Sequence, residues 1–172
     1  MVDMNLVIEK LKELIGLPFR YAGRACDVIW FGFGNLIKKE DKRHGGFREV
    51  AEYALHVQCA WRLTELKKII VDSADKYIPS SGIEYYDNFD WDIQGANRCD
   101  EQLKSMFAGL TTELIVENVT ADRFGGIKIL LSENVLLEII TDSSTDNEAW
   151  RFFRSGVDME HLVMTGIGAE WQ

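Results

Sequence analysis

Basic residues are scarce in this chain: 19 Lys and Arg stand against 28 Asp and Glu, a formal net charge of −9. That balance excludes the usual footprint of a nucleic-acid binder, which holds phosphates with clustered Lys and Arg. Proline is nearly absent, with two residues, whereas nine Phe, five Tyr and five Trp supply core-forming rings that a disordered chain lacks. No apolar run approaches the ~18 residues a membrane helix needs, since Ile127 to Ile140 is interrupted by Lys128, Glu133 and Glu138. The first fourteen residues carry Asp3, Glu9, Lys10, Lys12 and Glu13, so no secretory signal is read there. Three cysteines, Cys26, Cys59 and Cys99, are an odd number without a CxxC spacing, which suits reduced thiols in a cytoplasmic protein.

The apolar periodicity predicts an α+β fold: a mostly antiparallel sheet with two short helices in a single domain over residues 1–172. Leu6, Val7, Leu11, Leu14 and Ile15 mark an N-terminal helix over 4–15. A first sheet half is expected over 27–78. Within it, 27–34 reads as a strand buried on both faces, and 53–63 as one alternating strand with Leu55, Val57, Trp61 and Leu63 inward. Residues 38–48 between them, charged and with two glycines, read as an exposed loop. A loop and helix follow over 79–110, with Asn97 as the cap, and then a second sheet half over 113–166. The pairs Trp61-Arg62 and Trp150-Arg151, each following apolar strands, suggest a weak internal pseudo-repeat, although the distances from the preceding Leu55 and Leu137 differ.

Five strings stand out in order along nearly the whole chain: GRAC (23–26), EYALHVQCAWRL (52–63), FDWDIQGANR (89–98), ADRFGG (121–126) and EAWRFFR (148–154). They resemble those of a family of uncharacterised, small, bacterial single-domain proteins. The resemblance implies a bacterial protein of that size and carries over no activity and no site residues.

Chemistry concentrates in residues 72–101, where eight carboxylates face two cations. Tyr85, Tyr86, Asp87, Asp90, Trp91 and Asp92 interleave rings with acids on a segment of neither helical nor strand period, a composition suited to recognising a basic protein partner. The alternative is a loop whose rings pin it to its own core. Asp90, Asp92, Gln94 and Glu101 also sit at the spacing of an EF-hand calcium loop, with Gly95 at the turn, although Gln94 and Arg98 depart from that pattern. Turn formation and helix capping explain the same residues without a metal. A third candidate is a ligand site on a polar sheet face made by His56, Gln58 and Arg62 with Arg24 nearby. No GxxxxGK, GxSxG, HExxH or zinc-spaced His and Cys set is present, and no catalytic residue is assigned. The expectation is a non-enzymatic protein-binding module, immunity-protein-like by analogy, without a cofactor. The alternative is a small-ligand binder or enzyme on the polar face.

Overall fold

The computed structural model describes residues 2–41, 44–83, 89–157 and 159–172. Helix α1 (Met4–Leu11) starts where the Asp3 carboxylate accepts the Asn5 N–H at 2.7 Å, and a 3-10 turn (Lys12–Leu14) continues it. Five strands follow: β1 (Pro18–Ala25), β2 (Val28–Glu40), β3 (Phe47–Val57), β4 (Ala60–Glu65) and β5 (Lys68–Asp72). A 3-10 turn (Ser73–Tyr77) leads towards helix α2 (Arg98–Gly109). Then come β6 (Leu114–Ala121), β7 (Ile127–Leu131), β8 (Val135–Ile140), β9 (Glu148–Arg154), β10 (Leu162–Thr165) and β11 (Gly168–Trp171). The class is α+β, with every strand pair antiparallel.

The strand order is β11-β10-β9-β3-β2-β1-β6-β7-β8-β4-β5. Two equivalent units are visible in it. Each starts with a helix, runs through a three-strand meander and then crosses to the other unit: β4 and β5 add beyond β8, and β9 to β11 add beyond β3. The two tryptophan-arginine pairs occupy matching strands, β4 and β9, with Trp61 and Trp150 buried and Arg62 and Arg151 bound to Glu138 and Glu148. The sequence halves 27–78 and 113–166 are therefore not the sheet halves, because each side of the sheet takes strands from both.

The single strand expected over 53–63 is two strands that turn a corner at Gln58 and Cys59, whose N–H groups both donate to Ala149 C=O at 2.8 and 3.2 Å. Periodicity reads faces, and the faces are kept across the corner: Leu55, Val57, Trp61 and Leu63 are all buried. The loop expected over 38–48 is shorter, since β2 runs to Glu40 and β3 starts at Phe47. Two strands, β1 and β11, had no counterpart in the periodicity.

The core fills the space between the two sides. Phe31, Leu55, Phe152 and Leu162 form one inward row across β2, β3, β9 and β10, and Ile129, Leu137, Leu63 and Val71 form another across β7, β8, β4 and β5. The sides meet where the Phe31 and Trp61 rings pack edge to face at 5.3 Å, and where the Trp150 indole N–H donates to Gly125 C=O at 2.8 Å. Gly125 has φ +86°, and a Cβ there would lie 2.5 Å from Met164 Sδ, so only glycine fits this contact.

Candidate functional site

Arg24 organises the acidic segment. It lies on β1 opposite Ile29, on an inward row that continues through Val57, Trp150 and Met164, so the chain has placed a guanidinium at the end of an apolar row. At 5% exposure it must be satisfied internally. Asp100, in the first turn of α2, takes Nε and Nη2 at 3.1 and 3.0 Å. Trp91 C=O takes Nη2 at 3.2 Å, Cys26 C=O takes Nη1 at 3.0 Å, and Asp92 lies at 3.5 Å. These neighbours hold the guanidinium above its ordinary pKa, chiefly through the Asp100 hydrogen bonds.

Around this hub the segment braces itself. Asn97, fully buried, accepts the Asp100 N–H at 2.8 Å as the α2 cap and donates to Trp91 C=O at 2.8 Å. Gln94 Nε2 donates to Arg24 C=O at 2.6 Å, and Gly95 N–H to Asp100 at 2.9 Å. Arg98 N–H reaches Ile78 C=O and Ser80 N–H reaches Ala96 C=O, tying residues 78–80 to 96–98. Asp72 and Asp75 close a capping box on the 3-10 turn, and Asp75 also binds Arg98 at 3.1 Å. Much of the negative charge in 72–101 is thus spent on the framework.

What the framework presents outward is apolar and acidic. Tyr77, Ile78 and Ile93 are exposed, at 55%, 46% and 58%. Trp91 is half-buried against Tyr77, ring to ring at 5.6 Å, and Lys76 Nζ lies over both rings at 4.8 and 5.4 Å. Asp90 is exposed and caps its own turn at the Asp92 N–H, while the half-exposed Asp92 carboxylate lies 3.9 Å from the exposed Cys26 thiol. Asp27, bound to Lys76, adds a further surface carboxylate. Tyr85, Tyr86 and Asp87 lie outside the described residues. Tyr77, Ile78 and Ile93 were not singled out from sequence. Their signal was weak, since isolated apolar residues among turn formers resemble buried anchors.

The other two constellations separate in space. Gln94 and Glu101 turn away from a common centre with Asp90 and Asp92: Gln94 is spent on Arg24, and Glu101 accepts the Ser81 N–H and hydroxyl. The Ser81 bonds hold the Glu101 carboxyl below its ordinary pKa. Among the described residues no group of three or more His, Cys, Asp or Glu is arranged to hold a metal ion. The corner at Gln58 likewise divides the polar face. Arg62, on β4, binds Glu138 at 2.6 Å on the opposite side of the sheet order, while His56, on β3, packs edge-on to Phe153 at 4.9 Å and near Trp30. Burial, then Arg151, push His56 below its ordinary pKa. Arg24 and Gln58 share only a cavity of about 20 Å3, room for about one water.

Cys59 and Cys99 line that same cavity, and burial pushes both thiols up to about 12, so neither supplies a thiolate near neutral pH. Among the described residues no helix is long and apolar enough to cross a membrane. No known protein family, no curated protein and no solved structure matches this chain.

Proposed function

We propose that the protein is a cytoplasmic, non-enzymatic protein-binding module that engages a basic partner through the surface of Tyr77, Ile78, Asp90, Trp91, Asp92 and Ile93. The observation that supports this reading most directly is the pairing of exposed apolar side chains with the exposed Asp90 and Asp92 on a segment pinned by the buried Arg24. A surface held this way loses little conformational freedom on binding, and rings with an acidic rim suit a cationic, partly apolar partner. Small acidic bacterial proteins that neutralise basic toxins work by the same chemistry, and an immunity role is the form this function takes by analogy.

The test is affinity capture from a lysate of the source organism with tagged wild-type protein, beside Ile93→Glu and Asp90→Lys variants. Both positions are exposed; Ile93→Glu should melt like the wild type and Asp90→Lys slightly below it, because it loses the acceptor of the Asp92 N–H. A stoichiometric partner, held by the wild type, lost from both variants and eluted by a few tenths molar salt, is the expected result. A partner retained equally by both variants, or none at all, overturns the assignment.

A further inference from the structure

A second surface lies along β1. Strand β6 begins at Leu114, opposite Phe19, and pairs with β1 only at Pro18 and Phe19, so among the described residues β1 has no strand neighbour on that side from Tyr21 to Arg24. A groove of about 460 Å3 separates this edge from α2. Tyr21, Ala22 and Gly23 all line it although their side chains alternate between faces, which means the groove follows the strand's backbone edge.

The hairpin fixes which backbone groups face it. Cys26 and Asp27 are the two-residue connection, so Ala25 and Val28 form the closely bonded pair. By alternation Gly23–Trp30 and Tyr21–Gly32 are also bonded pairs, and Ala22 and Arg24 direct their N–H and C=O groups away from β2 into the groove. One of these is already used in the manner of a pairing strand: the Gln94 amide donates to Arg24 C=O. Ala22 offers an N–H and a C=O beyond it.

Three cations line the groove, Arg20, Arg24 and Lys104. Arg20 is bound to Glu113 and Arg24 to Asp100, whereas Lys104 stands exposed on α2. Leu103 and Phe107 supply an apolar wall from the same helix. Backbone donors and acceptors on an open edge, an apolar wall and one exposed lysine together fit one occupant.

We propose that this groove receives an extended acidic segment of a protein partner, which adds to β1 as a further strand with a carboxylate towards Lys104. This site is distinct from the exposed surface of Tyr77 and Ile93, and its failure would leave that reading standing.

Random peptides displayed on phage are selected on the wild-type protein and on Ala22→Pro. Proline removes the Ala22 N–H from the groove edge, and the bonds from β1 to β2 stay in place because Ala22 does not donate to β2. The expected outcome is enrichment of Asp- or Glu-containing peptides on the wild type alone. A synthetic copy of an enriched peptide should then bind about tenfold or more weakly when its alternate backbone amides are N-methylated, and similarly to Lys104→Glu. Should Ala22→Pro fold poorly, the methylated peptide and the Lys104→Glu variant carry the same test. Absence of acidic enrichment, binding insensitive to N-methylation, or displacement of the peptide by succinate at equal concentration overturns the proposal.

Discussion

Replacing Arg24 with methionine removes the guanidinium while keeping most of its apolar stem. Its side chain is 3% exposed and its partner Asp100 is 12% exposed, so the variant leaves a carboxylate largely shut off from water. Breaking one side of such a pair costs about 3–5 kcal/mol. Gly95 N–H still donates to Asp100, which argues for the lower end, about 3 kcal/mol. For a domain of this length that corresponds to a drop in Tm of about 6–12 °C. The Cys26 carbonyl loses its Arg24 donor and the Trp91 carbonyl keeps only that of Asn97, so residues 91–100 should show faster amide exchange than the sheet. The companion Arg24→Met/Asp100→Leu removes both charges and should recover most of the loss, since apolar replacement of a buried pair is often neutral. Urea denaturation of the two single variants and the double variant measures this. A loss below about 1 kcal/mol in Arg24→Met, or a double variant as costly as the sum of the singles, would refute the clamp.

Burial and Arg151 also lower the pKa of His161, which stacks on Phe153 at 4.2 Å, the same ring that His56 meets edge-on at 4.9 Å. Both imidazoles have folded pKa values below the unfolded one of about 6.5, so the unfolded state binds more protons in that window. Stability is then full above about pH 6.5 and falls as pH drops towards the folded values, and His56→Phe should flatten this slope in melting curves taken from about pH 7.5 to 5. Of the three thiols, only Cys26 is exposed, while Cys59 and Cys99 are held protonated. Iodoacetamide on native protein should therefore add one mass increment, mapped to Cys26, with the others reacting only in denaturant; rapid double addition would contradict the burial.

Where an element obeys one period and is bounded by turns, the sequence reading matched the fold. β7, β8 and the hairpin between them follow from Ile127, Ile129 and Leu131 alternating against Val135, Leu137 and Ile139. Asn97 and the α2 stripe of Cys99 and Leu103 were equally plain. β1 escaped because Arg20, Gly23 and Arg24 break its apolar alternation, and Arg24 breaks it by facing inward, which needs Asp100, 76 residues away. The same long-range pairing hid the site: no local pattern says that the acids of 90–101 are anchored, or that Gln58 is a corner. The tryptophan-arginine pairs lie on β4 and β9, and they were legible because both strands need one indole inward and one guanidinium outward.

That architecture has a consequence for folding. If each sequence half carried its own sheet, residues 1–112 would form a stable domain. Instead β3 is covered by β9, β4 by β8, and β1 meets β6, so the fragment would expose the edges of three of its five strands at once. It would also leave Phe31 and Leu55 without Phe152, and Trp61 and Leu63 without Ile139 and Leu137. Each uncovered large side chain forfeits part of about 1.5–3 kcal/mol of burial, and four such losses are comparable to the stability of about 5–15 kcal/mol expected for a whole domain. The fragments 1–112 and 113–172 should therefore each give poorly dispersed amide spectra alone and recover the dispersed spectrum of the intact chain when refolded together. A well-dispersed spectrum from 1–112 alone would show that the exchange of strands is an addition to a self-sufficient half, and that the mutual covering of β3 by β9 and β4 by β8 is not what stabilises the fold.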